Sequence, residues 1–395
     1  MLTPLIAQEI ARETSTIIGF NVLITDREGM VIGSGDTARL GTFHEASVGV
    51  MHTLRPASHG PEAARGLIGV QPGITLPILL NGESVGTVGI TGDPDQVERF
   101  GLVVRNQTEI LLRESLLQRS LLLRESAVED LLRDLAHYDP EVADPDLIAF
   151  KAHELGHDLR LRRSVVVMDI DAPAQEIHSP SEPGTLRSAI LRVLRRTFPD
   201  ARDLLGSIAS GRFVVLHHLS GPYDADPLAD LLTRCEQVAD DLMRPHGIGC
   251  RIGVGGVASS VARLHDAYRD AANALYLADR LGRGERVTRI ADVRVHDLLT
   301  TVAHGARARF AEAMIGPLRR EPGWEVTRRT ITAWCESGFN LVRASSALHI
   351  HRNTLVYRLG KIETLLGPGF KDARICLSLY LACLIDELED PAPDR

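Results

Sequence analysis

FNLVRASSALHIHRNTLVYRL, residues 339–359, is the stretch that decides the architecture of the C-terminal part of this chain. Three apolar residues suit one face of a short first helix: Leu341, Ala344 and Leu348. After a turn, further apolar residues recur at i, i+4, i+7 and i+11: Leu355, Leu359, Ile362 and Leu366. This period is typical of an amphipathic helix that buries one stripe. The stretch therefore predicts a helix–turn–helix.

The opposite side of the second helix is polar and basic. Between residues 338 and 361 there are four basic residues and no acid. Amide and hydroxyl groups can read base edges in a groove of double-stranded DNA, and guanidinium groups suit phosphates. The expected DNA-binding residues are Arg343, Arg352, Asn353, Thr354, Tyr357, Arg358 and Lys361. His351 is expected to support the helix start, and His349 to fill the turn. The alternative is a solvated amphipathic helix in a bundle that binds no DNA.

Length, charge and cysteine content limit the other possibilities. A chain of 395 residues is expected to form two or three domains. The formal net charge is −8, so any contact with DNA must be local. The five cysteines form no C-x-x-C pair, which favours scattered buried thiols in a reducing cytosol over disulfides or a zinc site. We expect no metal and no cofactor.

The chain is expected to be soluble and cytoplasmic, with no membrane partner. Residues 1–20 lack the basic start, apolar core and small-residue cleavage site of a secretory signal. The apolar run 375–385 covers about half of a membrane span and contains Ser378. This run predicts a buried helix that closes the C-terminal bundle.

Short strands and turns alternate in the first part of the chain. Four strands are expected: 22–25, 30–32, 76–80 and 84–90. Asn81-Gly82, between the last two strands, is a strong signal for a tight hairpin. Because helical patterns precede and follow these strands, residues 1–137 are expected to form an α+β domain with an antiparallel sheet.

A long helix is expected from about residue 96 to residue 136. Its apolar residues fit an a/d seam that Arg124 interrupts: Leu117, Leu121, Val128, Leu131 and Leu135. The seam favours packing against a second copy, as a homodimer or a higher even-numbered oligomer. The alternative is a helix that lies on its own domain.

The remaining chain divides at an acidic segment with Pro140 and Pro145, so that residues 138–159 are expected to be a linker. Residues 160–297 show a compact α/β pattern, with strands at 165–168, 212–217 and 250–254 and helices near 186–197 and 228–243. Residues 298–395 are expected to be helical and to contain the helix–turn–helix. The expected fold class is therefore multidomain α+β.

Two motifs resemble a known family of bacterial transcription factors. I-H-R-N-T-L-x-Y-R-L-x-K-I-E, residues 350–363, resembles the helix–turn–helix shared by purine-catabolism and carbohydrate diacid regulators. G-S-G-D-x-x-R-L-G-x-x-H-E, residues 33–45, followed by P-G-I-T-L-P-I, residues 72–78, resembles their sugar-diacid-recognition domain. The middle segment resembles the degenerate GGDEF-like domain between those ends. The resemblance implies a transcription factor, with activation the favoured direction, that responds to a sugar diacid or glycerate.

The N-terminal motif is suited to a small carboxylate. Thr42 and Glu45 have capping-box spacing, which predicts a helix start near Phe43 whose free N–H groups would bind an anion. Arg39 and His44 are the nearest side chains able to pair with a carboxylate. The candidate effector-binding residues are Gly33, Ser34, Gly35, Asp36, Arg39, Gly41, His44, Glu45, Gly73, Thr75 and Leu76. For Glu45 capping is the stronger expectation, and Asp36 is open between a turn and a hydroxyl contact.

The strand motif departs from the family pattern at two places. Gln71 stands where the pattern has a basic residue, and Thr75 stands where it has asparagine. Without that cation, a monoacid such as glycerate becomes more plausible than a ligand with two carboxylates.

The alternatives to a DNA-binding regulator are a nucleotide cyclase and a signalling scaffold. A nucleotide cyclase would need acids that hold a divalent metal, but the matching hairpin is Ser210-Gly211-Arg212-Phe213 instead of the Gly-Gly-Asp/Glu-Glu-Phe pattern. Asp169 and Asp171 follow an apolar strand, where strand-end capping is the stronger expectation, so no catalytic residue is expected. The other alternative is a signalling scaffold whose C-terminal helices contact protein.

Overall fold

The computed structural model describes residues 2–171, 186–220, 228–367 and 372–389. The chain divides into two compact units, Met1–Arg124 and Glu125–Arg395.

The first unit is an α+β sensor unit built on an antiparallel sheet with strand order β2-β1-β5-β4-β3. Its strands are β1 (Val22–Thr25), β2 (Val31–Ser34), β3 (Ala57–His59), β4 (Gly73–Leu80) and β5 (Glu83–Thr91). Its helices are α1 (Pro4–Ile18), α2 (Glu45–Thr53), α3 (Pro61–Ala64) and the first part of α4 (Pro94–Ala136), with a 3₁₀ turn at Thr37–Arg39. The hairpin β4–β5 turns at Asn81 and Gly82, whose φ angles of 52° and 87° suit a tight two-residue turn.

The sheet of the sensor unit has one apolar face and one polar face. Ile74, Leu76 and Ile78 of β4 lie in the apolar core with residues of α1 and α4. Side chains alternate along a strand, so Thr75 belongs to the other face. On that polar face, Thr25 of β1 and Thr87 of β5 are opposite each other in the register, and α2 packs there.

Helix α4 begins two residues before its expected start and ends at the expected residue. Its first part buries Val97, Val104 and Leu112 in the sensor core. Its last part buries Leu131 and Leu135 in the core of the second unit, with Val128 packed against them. The expected seam is therefore wrong for these three residues, because they cover their own domain. Leu117 and Leu121 are exposed.

The second unit contains a central α/β part with strand order β10-β9-β6-β8-β7. Its strands are β6 (Arg163–Asp171), β7 (Leu204–Ala209), β8 (Arg212–His218), β9 (Gly249–Ala258) and β10 (Val287–Arg289). Its helices are α5 (Pro145–Glu154), α6 (Leu186–Thr197), α7 (Ala229–His246) and α8 (Val261–Arg280). Ile148 and Ala152 of α5 are buried in this core, so the segment expected as a linker contributes to packing.

The C-terminal helices form a bundle in the second unit. They are α9 (Ile290–Thr300), α10 (His304–Arg319), α11 (Trp324–Glu336), α12 (Leu341–Ala347), α13 (Arg352–Leu366) and α14 (Ala373–Glu389). Leu379, Cys383 and Ile385 of α14 lie in the bundle core, as expected for a buried closing helix. Within the described residues, no helix is both long enough and apolar enough to span a membrane.

Candidate functional site

The helix–turn–helix consists of α12, a short turn and α13. Asn340 begins α12 by accepting hydrogen bonds at Oδ1 from the backbone N–H of Val342 (2.9 Å) and Arg343 (3.1 Å). In the turn, His349 takes a φ angle of 51°, as the expected tolerance of histidine allows. His351 is the N-cap of α13, and its Nδ1 accepts from the N–H of Asn353 at 3.3 Å. Both histidine predictions are confirmed.

Helix α13 presents a polar face to solvent. Leu355, Leu359 and Ile362 are buried in the bundle core. The predicted DNA-binding residues are exposed, except for Arg358, which is half-buried: Arg343, Arg352, Asn353, Thr354, Tyr357 and Lys361. Within the described part of the chain, the four basic residues of this set form no ion pair with an acid. Their charges are therefore available to an external anion such as a DNA phosphate.

The second candidate site lies on the polar face of the sensor sheet and is built around Arg39. This arginine is 8% exposed. Its Nη2 donates to the carbonyl oxygen of Gly69, and its Nη1 donates to Oε1 of Gln71 at 3.4 Å. Burial lowers the pKa of the Arg39 guanidinium, an effect that Asp36 opposes. Gln71 thus faces Arg39. A basic residue in place of Gln71 would repel the Arg39 guanidinium.

A chain of buried hydrogen bonds continues this site. His44 is 3% exposed, and its Nδ1 lies 2.7 Å from Oγ of Ser47. Ser47 Oγ lies 2.6 Å from Oγ1 of Thr87, which lies 2.8 Å from Oγ1 of Thr25. Burial, with the charges of Arg39 and His59 beside it, lowers the pKa of His44 to about 4. The imidazole is therefore neutral at pH 7.

Helix α2 begins two residues after Phe43, but the predicted capping role of Thr42 is wrong. The helix begins at Glu45 with His44 as N-cap, and Thr42 Oγ1 donates to the Arg39 carbonyl at 2.7 Å instead of capping. Glu45 has a structural role of a different kind, because its Oε2 accepts from the N–H of Ile68 at 2.7 Å. This bond holds the loop that supplies the Gly69 carbonyl to Arg39. At φ +70°, a side chain on Gly69 would also collide with the carbonyl of Phe43.

Several expected effector residues have internal partners. Gly33 and Gly35 leave no room for a side chain because α1 packs on them. Ser34 exchanges two backbone hydrogen bonds of 2.9 Å with the side chain of Gln8. Asp36 caps the 3₁₀ turn by accepting from Ala38 N–H at 3.1 Å, which is the turn role. Of these residues, Asp36 holds the turn that carries Arg39.

The remaining candidates divide between the two faces of the sheet. The Leu76 side chain lies in the apolar core, away from Arg39 and His44, because strand alternation separates it from Thr75. Thr75 and Gly73 are buried, and Gly41 is exposed with a φ of 73°. Sequence reasoning missed Ser47, Thr87 and Thr25; for the two threonines, a polar residue within an apolar strand was the available signal.

Family models match nearly the whole chain. Residues 2–135 match the sugar diacid recognition family, residues 139–277 the GGDEF-like domain, and residues 327–385 the PucR C-terminal helix-turn-helix domain. The chain is 28% identical over 382 residues to the carbohydrate diacid regulator of Escherichia coli, covering 96% of this chain and 97% of that protein.

The chain belongs to the carbohydrate diacid regulator family. It is also 25% identical to the protein YsfB of Bacillus subtilis over 386 residues, covering 96% of this chain and 97% of that protein. Among solved structures, the regulator of polyketide synthase expression from Bifidobacterium adolescentis matches with 18% identity and a TM-score of 0.33, covering 67% of this chain and 99% of that one. As a member of this family, the chain is a DNA-binding transcription regulator.

In the GGDEF-like part of the chain, the aspartate that follows the apolar run of β6 forms an ion pair with the hairpin arginine. Arg212 Nε and Nη2 donate to Oδ1 and Oδ2 of Asp169, each at 2.7 Å. This bidentate pair, together with Tyr268, raises the pKa of Arg212. Asp169 is thus not a strand-end cap but a partner of the hairpin arginine. Across the described ranges, no group of three His, Cys, Asp or Glu side chains could hold a metal ion.

Proposed function

We propose that this regulator controls carbohydrate-acid catabolism in the cytoplasm and acts as an activator. A small carboxylate, such as glycerate or a sugar diacid, binds the sensor unit, and α13 binds promoter DNA. DNA is bound by a homodimer or a higher even-numbered oligomer, because one helix–turn–helix offers a small footprint. The effector works by favouring one arrangement of the chain over another.

The buried guanidinium of Arg39 is the observation that supports a carboxylate effector. Among the described residues, no carboxylate lies within ion-pair distance of it, and its contacts are a carbonyl and an amide. A buried charge without a counter-ion is costly, so an anion that enters the site would be stabilised. Neutral His44 and the hydroxyls of Ser47 and Thr75 are able to bond hydroxyl groups of the same ligand.

The polar residues around Arg39 favour a ligand with one carboxylate and one or more hydroxyl groups. Gln71 replaces the basic residue of the family pattern and bonds Arg39 directly. A second carboxylate would therefore meet an amide instead of a cation. Glycerate fits this arrangement better than a sugar diacid, which stays the alternative.

A thermal-shift screen of the full chain against glycerate, glucarate and galactarate tests the proposal. An effector present at about 100 times its Kd should stabilise the protein by roughly 2.7 kcal/mol. Arg39→Lys keeps the positive charge but loses the guanidinium that donates to both Gly69 and Gln71. The variant should therefore lose most of the stabilisation by the effector. Arg12→Ala removes an exposed arginine of α1 and should respond as the wild type does. Equal responses of the Arg39 variant and the wild type would contradict the proposed site.

We propose that the central part, within 160–297, is a structural spacer without cyclase activity. In this proposal the sensor comprises 1–137 and the DNA-binding region 298–395, and the connection 138–159 packs on the central part through α5. The Asp169–Arg212 pair supports this view, because a guanidinium occupies the carboxylate that would hold magnesium. Formation of a cyclic dinucleotide from GTP and magnesium by the purified chain would overturn it.

Salt-dependent binding separates the DNA-binding role from a scaffold that contacts only protein. Phosphate contacts release counter-ions, so affinity for promoter DNA should fall steeply as salt rises. A chain that binds no promoter DNA at low salt would support the scaffold.

A further inference from the structure

The first part of α4 has an apolar stripe that faces solvent. Val103, Ile110, Leu117 and Leu121 are 64%, 57%, 66% and 61% exposed. At 100° per residue they lie within about 40° of one another around the helix axis. Val97, Val104 and Leu112, which face the sensor core, lie on the opposite side. The stripe is therefore separate from the packing of the helix on its own sheet.

The spacing of the stripe fits a second helix of the same kind. Val103, Ile110 and Leu117 are seven residues apart, and Leu121 follows four residues later. A seven-residue apolar repeat faces a partner continuously only when two helices supercoil around each other. A row of four exposed apolar side chains along one helix face is unusual on a surface that stays in water.

The charged residues beside the stripe decide the orientation of the partner. Arg113 lies on one flank and Glu114 on the other, at nearly the same height along α4. Both are exposed, and neither forms an ion pair with another residue in the described ranges. In a parallel two-fold pair, each flank meets the opposite flank of the other helix, so Arg113 would face Glu114 of the second copy. An antiparallel pair would bring like charges together.

We propose that the stripe of Val103, Ile110, Leu117 and Leu121 binds the same stripe of a second copy of this chain, in a parallel and in-register pair. This contact deepens the proposed dimeric DNA binding and is tested without DNA. The pair places the two sensor units side by side. It keeps Leu117 and Leu121 of the seam expected from the sequence and leaves out Val128, Leu131 and Leu135, which pack within the chain.

Sedimentation equilibrium of the full chain tests the contact. The wild type should have at least twice the 43.2 kDa mass of one chain at micromolar concentration. Leu117→Glu should weaken association by about 100-fold or more, because two leucines lose their burial and two carboxylates face each other. Leu123→Glu is the matched control: Leu123 is 65% exposed on another side of the same helix and should leave association unchanged. A monomeric wild type, or equal effects of the two variants, would overturn the proposal.

A second experiment tests whether the two α4 helices of the pair run parallel. Arg113→Glu and Glu114→Arg should each weaken association by about threefold to tenfold at low salt, and the double variant should restore it. Leu117→Cys should cross-link to its own copy under mild oxidation, because the two residues meet across the two-fold axis. Absence of both the charge rescue and the cross-link would exclude the parallel arrangement.

Discussion

The sensor interior and the centre of the C-terminal bundle each bury a charged side chain, but they satisfy it differently. In the bundle, the Asp386 carboxylate is 1% exposed and lies 3.0 Å from Nε of Arg319 and 3.1 Å from Nη1 of Arg328. Trp324 Nε1 also donates to it at 2.8 Å. In the sensor, Arg39 contacts only neutral groups. A buried charge with internal counter-ions supports the fold, whereas one without them is suited to a charged ligand.

Arg163 in the central part shows where this distinction must be refined. It is fully buried and donates to the carbonyl oxygens of Arg202, Leu216 and Asp158. Burial lowers its pKa, but Asp203, Asp158 and Asp200 nearby all oppose that effect. For Arg39, only Asp36 opposes the lowering of the pKa by burial. Arg39 thus has one nearby acid where Arg163 has three, and this difference distinguishes the sensor site.

The largest expected effect is the loss of the bundle network. Asp386→Ala should destabilise the second unit by about 3–5 kcal/mol, because buried Arg328 keeps only the exposed Glu325 as a counter-ion, and Arg319 and Trp324 lose their shared acceptor. Denaturant unfolding followed by the fluorescence of Trp324 and Trp334 would measure this change. The control is Asp230→Ala, which removes an exposed pair with Arg234 in α7 and should cost less than about 1 kcal/mol. Similar losses in both variants would mean that Asp386 contributes no more than a surface acid.

The second effect is a pH dependence of the sensor unit. The folded pKa of His44 is about 4, below the usual 6.5, so the unfolded chain binds more protons between these values. Stability from neutral His44 is fully present above pH 6.5 and is lost as the pH falls toward 4, by up to about 3 kcal/mol. Hydrogen exchange of β5 amides, corrected for intrinsic rates, should show the loss.

The His44→Asn variant serves as the control for this pH dependence. An asparagine keeps a polar atom near Ser47 but does not titrate, so the variant should lose less stability on acidification. A carboxylate effector should reduce the loss in the wild type, because it would stabilise the protonated imidazole. A wild type and variant with the same pH profile would contradict the low pKa.

The elements with a regular local signal could be predicted from the sequence. The Leu355–Leu366 period, the Asn81-Gly82 hairpin and the helix ending at Ala136 all depend on residues close along the chain. The partners of those elements could not be predicted in the same way. Leu135 and Leu121 occupy equivalent seam positions, yet Leu135 is buried in its own domain and Leu121 is exposed. That difference depends on which strands reach the helix, which the period does not record.

The candidate sites show the same limit. Arg39 and His44 could be selected because their side chains are chemically distinctive. Their contacts with Gly69, Gln71 and Ser47 depend on a loop and a helix brought together by the fold. The capping prediction for Thr42 was wrong because Thr42 bonds the turn that precedes it. The spacing of Thr42 and Glu45 did not distinguish a cap of α2 from the bond that Thr42 makes to the Arg39 carbonyl.

The smallest expected effects come from substitutions on the exposed helix α13, because each removes a single contact with DNA. Asn353 is in the first turn of α13, which meets base edges in helix–turn–helix docking, and an asparagine there can pair with adenine. Asn353→Ala should therefore reduce discrimination between operator and scrambled DNA by about 1–3 kcal/mol. Arg358→Ala should weaken both DNAs alike and reduce the salt slope by about one. Thr364 is exposed in the last turn, and its Oγ1 donates to the Gly360 carbonyl at 2.9 Å, so Thr364→Ala should change neither property.

Fluorescence anisotropy with both DNAs at several salt concentrations would measure these differences. If Asn353→Ala lowers both affinities equally, Asn353 contacts the backbone, and the start of α13 does not read the bases.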